Sequence, residues 1–233
     1  MRNGFGLAAC GAVLVLGASG PVLAADAPPA YPGMAPLAQY LMAPADEIAL
    51  ARSTAPASVS DGAEILVLTS HGYETAAKGT NGFVCVIERS WASGFDDAEF
   101  WNFHERGPLC MNPAAVRTVL PSYIERTQWV LSGLTRDQML AKARTSAVAN
   151  AELAPGAMCY MLSKGGYLSD AGHHWHPHIM FWVGHADAAS WGANLPGSPV
   201  LGGPDGPGDP VSTFFVLVAK WSDGSSAMDM AKP

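Results

Sequence analysis

Two periodicities divide this chain. Residues 64–69 (EILVLT) form a continuous apolar run, and residues 83–90 (FVCVIERS) form a second. Both are rich in β-branched residues and predict strands. Gly79-Thr80-Asn81-Gly82 between them reads as a turn. A hairpin is expected, with residues 70–78 as the far end of its first strand or an irregular rim.

The spacing then becomes helical. Asp96-Asp97-Ala98-Glu99 predicts a short helix through Phe103, because an acid cap is followed by an acid three residues on. Asn112-Pro113 supplies an N-cap and a first helical proline. Pro121 breaks or kinks the helix beyond it, and the next helix stops at Gly133. Thr135-Arg136-Asp137-Gln138 is a capping box opening a helix to about Ala151. Apolar strand patterns return at residues 157–163 (AMCYMLS), at the end of residues 170–183 and at residues 211–219. A Gly- and Pro-rich stretch, 184–210, separates the last two, and a loop of that length suggests a lid or an ordered Ω-loop.

Two strands, a helical excursion and three strands predict an α+β domain. Its antiparallel sheet has about five strands, with helices packed on one face. That order resembles the PAS-like and profilin-like folds in topology alone. The domain is placed at 61–221. It comes after an extension at 25–60 with a short helix at 44–53 and precedes a flexible tail at 222–233.

Residues 1–24 look like a bacterial-type secretory leader: Arg2, an apolar run from Leu7 to Gly17, then Val22-Leu23-Ala24 with small residues at the cleavage positions. Cleavage near Ala24 leaves about 209 residues, enough for one sizeable core. A periplasmic or secreted location is expected, with no membrane anchor. The formal charge is −7 with 14% charged residues and no basic patch, which argues against nucleic-acid binding. Cys85, Cys110 and Cys159 remain after cleavage. Export permits a disulfide, and the odd count leaves one thiol over. Cys85 with Cys110 is the preferred pair. Cys159 is then a buried thiol or, if its strand meets the histidines, a ligand.

The densest chemistry lies in Asp170 to Val183, DAGHHWHPHIMFWV. On a strand, His174, His176, His178, Met180 and Trp182 share one face, with successive side chains about 7 Å apart. The opposite face, Trp175, Pro177, Ile179, Phe181 and Val183, reads as the core face. Pro177 lacks an N–H and suggests an edge strand. Imidazole is the commonest protein metal ligand, so His174, His176 and His178 are candidate ligands for zinc or copper. His173, His71 and Glu74 are candidates to complete the set. His71 and Glu74, in Ser70-His71-Gly72-Tyr73-Glu74, are also the candidates for metal-free acid/base catalysis. Glu88-Arg89 reads as a surface ion pair.

No P-loop, Rossmann glycine pattern, G-x-S-x-G, S-x-x-K or H-E-x-x-H occurs, and the Cys, His and Met spacing is wrong for blue copper. The leading expectation is an exported protein binding a transition metal through a histidine cluster, with enzymatic activity undecided. The alternative is a metal-free protein that binds a small ligand between sheet and helices, or has a structural role in the envelope. Substrate, partner molecule and oligomeric state are not readable from the residues.

Overall fold

A computed structural model describes residues 31–170, 175–202, 206, 207, 209 and 211–227. The expected leader lies outside the described residues, as do His173, His174 and the last six residues.

The strands are β1 (Glu64–Thr69), β2 (Gly72–Ala77), β3 (Val84–Glu88), β4 (Gly107–Met111), β5 (Met158–Met161), β6 (His178–Val183), β7 (Val200–Gly202) and β8 (Ser212–Leu217). They form one eight-stranded sheet in the order β2-β1-β3-β4-β5-β6-β8-β7. The α+β class holds, but the sheet is larger than the expected five strands. The rim at 70–78 is itself a strand, paired antiparallel to β1. β1 and β3 are therefore parallel neighbours, joined through β2 rather than by a hairpin. β4 escaped notice because Gly107 and Pro108 open it. Four strands, not two, precede the helices, so the order departs from the PAS- and profilin-like expectation.

The helices follow their caps. In α1 (Pro44–Arg52) proline stands near the start, Asp46 and Glu47 fill the first turn, and Arg52 closes the last, as the macrodipole favours. A single turn, α2 (Ala57–Ser60), comes next. The Asn112 side chain accepts the Ala115 N–H at 2.9 Å and starts α3 (Pro113–Thr118). Pro121 sits in the first turn of α4 (Leu120–Leu131). Gly133 ends that helix at φ +77°, where a Schellman-type pair of bonds forms: Gly133 N–H to Val130 O and Leu134 N–H to Trp129 O. The capping box at Thr135 and Gln138 is complete and opens α5 (Arg136–Ala143).

Two helical expectations fail for one reason. Ser146 Oγ accepts from Val148 and Ala149 N–H, and Asn150 Nδ2 donates to the Ala143 and Ser146 carbonyls, so α5 stops early. Asp97 and Asn102 likewise bond N–H groups two residues on, and residues 96–103 form turns instead of a helix. Local side-chain bonds offer the backbone an alternative to the helix.

Helices cover both faces of the sheet rather than one. α1 packs against Ile65, Cys85, Ile87 and Cys110. α3 and α4 cover Leu66, Val84, Val86, Leu109 and Met111. The buried Arg89 donates to Glu47 Oε1 at 2.8 Å and to the Tyr40 carbonyl at 2.8 Å. This ties residues 40–47 to the sheet. Arg89 is therefore the partner of Glu47, and Glu88 has no part in a surface pair. At the other end, Ser222 donates to the Ser53 carbonyl and Ala227 is buried, so residues 222–227 pack against the fold.

Cys85 and Cys110 face each other in the β3–β4 ladder and form a disulfide, while Cys159 is a free, buried thiol. A disulfide accords with an oxidising compartment. Among the described residues no helix is long and apolar enough to cross a membrane.

Candidate functional site

Alternation on β6 selects the site. His178, Met180 and Trp182 point to the buried face, and Ile179, Phe181 and Val183 are half-buried on the other. This reverses the expected core face. The histidine face is the one that α3 and α4 cover, whereas Phe181 meets only the loop residue Trp191, at 6.1 Å between ring centroids. Nor is β6 an edge: it lies between β5 and β8. Pro177 precedes the strand and contributes its carbonyl to Val218 N–H, so no ladder donor is lost.

The described histidines do not form a metal centre. Among the described residues no group of three or more His, Cys, Asp or Glu side chains could hold an ion. His176 is exposed, and the His178 ring is turned to its own chain, with Nδ1 2.8 Å from the His176 carbonyl. Side chains two apart on a strand share a face without converging. The expectation of a transition metal bound through the histidine cluster is corrected on this geometry. Cys159 does pair with Met180 on β6, but its thiol is fully buried, and burial, with the negative field of Glu88, raises its pKa. His71 and Glu74 are exposed at the β1–β2 hairpin, where Glu74 accepts from Thr69 Oγ1 at 3.0 Å and the Gln128 amide donates to the His71 carbonyl.

What the fold builds instead is a cavity of about 520 Å³ between the sheet and α4. Met161, Met180, Trp182, Phe215 and Leu217 supply its sheet wall, and Leu168 and Trp175 close one side. Leu201, Asp209 and Val211, within or beside the Gly- and Pro-rich stretch, complete it. The volume falls within the range of small-molecule sites, and the lining is mostly apolar.

Polar residues break that lining, and five of them have shifted pKa values. Glu88 ends the β3 face begun by Val84 and Val86, and burial raises its carboxyl to a pKa of about 7, despite the opposing pull of the Tyr123 hydroxyl and Arg126. Glu105 is only 3% exposed, and burial, then the charges of Glu88, Asp97 and Glu99, raises it to about 9. The Arg126 guanidinium donates to the Ala92 and Ser93 carbonyls at 2.8 and 2.9 Å and lies 4.0 Å over the Phe95 ring. Its burial lowers the pKa to about 10, against the raising field of Asp209. Burial raises Tyr123. Burial lowers His178, whose ring packs edge-on to Trp175 and Phe215.

Two of these residues carry unsatisfied groups. Arg126 Nε and His178 Nε2 are buried and find no hydrogen-bond partner. A backbone carbonyl can only accept, so His178 Nδ1 holds the proton and Nε2 presents a lone pair. Two residues of the lining thus each hold a buried polar atom, one donor and one acceptor, that the protein itself does not use. Such orphans cost on the order of 1–3 kcal/mol each when they stay unpaired.

A second hollow of about 640 Å³ lies between Tyr31, Met34, Trp101 and Arg136. None of the orphaned buried atoms belongs to its lining. The sheet–α4 cavity is therefore the candidate site.

Sequence reasoning singled out His178 for the wrong chemistry and missed Glu88, Glu105, Tyr123 and Arg126. Glu88 left a readable signal, because it continues the apolar face of Val84 and Val86. Glu105 left none, since β4 was not recognised. Comparison of the chain with protein-family models, with curated proteins and with solved structures gives no match.

Proposed function

We propose that this chain is a small-molecule-binding protein, acting outside the cytoplasm, whose sheet–α4 cavity takes one compact and largely apolar ligand carrying a polar group. The carrying observation is the pairing of an apolar wall with the buried, unpartnered Arg126 Nε and His178 Nε2. An apolar ligand gains roughly 25 cal/mol for each Å² it removes from water, and a polar group on it would satisfy atoms that the empty fold leaves unpaired. The leader-like residues 1–24 and the Cys85–Cys110 disulfide support export.

The test is titration with a neutral apolar fluorophore, N-phenylnaphthylamine. One equivalent should bind with a Kd on the order of micromolar, as a cavity of this size supports. Thr213→Trp, which projects an indole from β8 into the cavity, should abolish binding without lowering the unfolding temperature. Absence of binding, or binding untouched by Thr213→Trp, would contradict the proposal.

A further inference from the structure

The charges around the cavity point to the class of its ligand. We infer that the site is built for a cation, an ammonium carried on a compact apolar or aromatic skeleton; this rests on the small-molecule reading above.

Three carboxyls and one guanidinium line the cavity: Glu88, Glu105, Asp209 and Arg126. Asp209 exerts the largest stabilising field on Arg126, so that charge already has its counterpart. Arg126 is also held by two backbone carbonyls and a phenyl face. Arg106 lies near Glu105, but its guanidinium donates to the carbonyls of Phe103, Glu105 and Gln39. The Glu105 carboxyl makes no hydrogen bond among the described residues and has only the field of Arg106 to favour its charge, while Glu88 has the Tyr123 hydroxyl and the field of an Arg126 that Asp209 already faces. These two carboxyls are therefore the uncompensated groups. Burial favours their protonated forms, because an isolated carboxylate in an apolar setting is costly.

An ammonium ion removes that cost. Its charge favours the ionised carboxyls, and its N–H groups suit carboxylate oxygens and the His178 Nε2 lone pair. Trp175, Trp182, Tyr123 and Phe215 present aromatic surface to the same space, and cations are attracted to aromatic faces. An anion gains less: Arg126 offers it one N–H but is already faced by Asp209, and an added negative charge would make Glu88 and Glu105 still harder to ionise. The remaining titratable groups facing the cavity do not alter this balance. Tyr123 and the adjoining Cys159 stay neutral, His178 is disfavoured as a cation, and His176 is at the exposed rim.

The experiment compares three probes of one skeleton near neutral pH: phenethylamine, phenethyl alcohol and phenylacetate. Each is titrated calorimetrically into the protein in two buffers of different ionisation enthalpy, with N-phenylnaphthylamine as the neutral reference. The amine should bind at least about tenfold more tightly than the other two and release a proton on binding. Glu88→Gln and Glu105→Gln should each weaken the amine about tenfold more than they weaken the alcohol, and a cooperative thermal melt shows that both variants are folded. If the alcohol or the carboxylate equals the amine, or neither glutamine variant weakens it, the cation inference is overturned while the cavity reading stands. If the dye also fails to bind, the cavity reading falls and this inference falls with it.

Discussion

Glu88 and Gly107 stand opposite each other in the β3–β4 ladder, and the absent side chain at 107 is what gives the Glu88 carboxyl its place. A Cβ on Gly107 would overlap Cγ, Cδ and Oε1 of Glu88. The position is buried, so the carboxyl has little room to retreat except into the cavity. Gly107→Ala should therefore displace Glu88. The expected cost is about 1–3 kcal/mol in urea unfolding, the usual range for overpacking, together with weaker probe binding. An unchanged stability and affinity would show that the glycine is incidental.

The raised carboxyls fix the sign of a pH dependence. A carboxyl whose folded pKa exceeds its unfolded value binds more protons when folded, so its contribution falls as pH rises. The decline begins near the unfolded value of 4.5, is complete for Glu88 near 7 and continues for Glu105 to near 9. Asp170 and Asp223 are held below their usual value by hydrogen bonds, and act in the opposite direction only in stronger acid. Burial lowers His178, which acts in the opposite direction below its unfolded value of 6.5, but two raised carboxyls face one lowered imidazole, and the protein should lose stability through neutrality. Glu88→Gln should flatten the slope between about pH 5 and 7, a change on the order of 3 kcal/mol by linkage. Thermal melts across that range decide it, and stability that rises toward neutrality would refute the assignment.

The Glu47–Arg89 pair is fully buried, with Glu47 Oε1 also accepting the Leu68 N–H at 3.2 Å. Removing one partner strands the other charge. Glu47→Leu should cost roughly 3–5 kcal/mol, and Glu47→Leu with Arg89→Met distinctly less than the sum. A double-mutant cycle in urea measures the coupling.

Cys85 and Cys110 lie 25 residues apart in sequence, so their bond removes entropy from the unfolded chain worth about 3 kcal/mol in the loop-closure account. Reduction should lower the unfolding free energy by about that amount. Cys159, with no accessible surface, should resist iodoacetamide in the native protein and react once urea unfolds it. Native alkylation at Cys159 would contradict the burial described.

The features legible in the residues were local. The Asn112 and Thr135 caps depend on side chains a few residues apart, and one disulfide with a thiol left over follows from a simple count, whereas Pro121 opens α4 instead of breaking it. The features that were not legible depended on which neighbours cover a face. The stretch around His178 looked like a ligand row because four histidines stand close in sequence. The residues that share its cavity, Tyr123 and Arg126, arrive from a helix some fifty positions earlier. Glu88 was placed on the surface because charge beside charge is usually solvated, yet the adjoining Arg89 was consumed by Glu47 from the far side of the sheet. The β1–β2 rim was misread for a related reason: Thr75 and Glu74 are exposed, and an edge strand needs no apolar alternation.

The central claim is that the sheet–α4 cavity, rather than the hollow at Trp101, receives a small molecule. Indole N–H resonances of the seven tryptophans report it directly, because Trp175 and Trp182 line the cavity, Trp101 lines the hollow, and Trp91 is bonded to Thr127 in a separate core. Saturation with N-phenylnaphthylamine should move the Trp175 and Trp182 signals and leave Trp91 and Trp101 in place. Movement of Trp101 alone, or of none of them, would contradict the account.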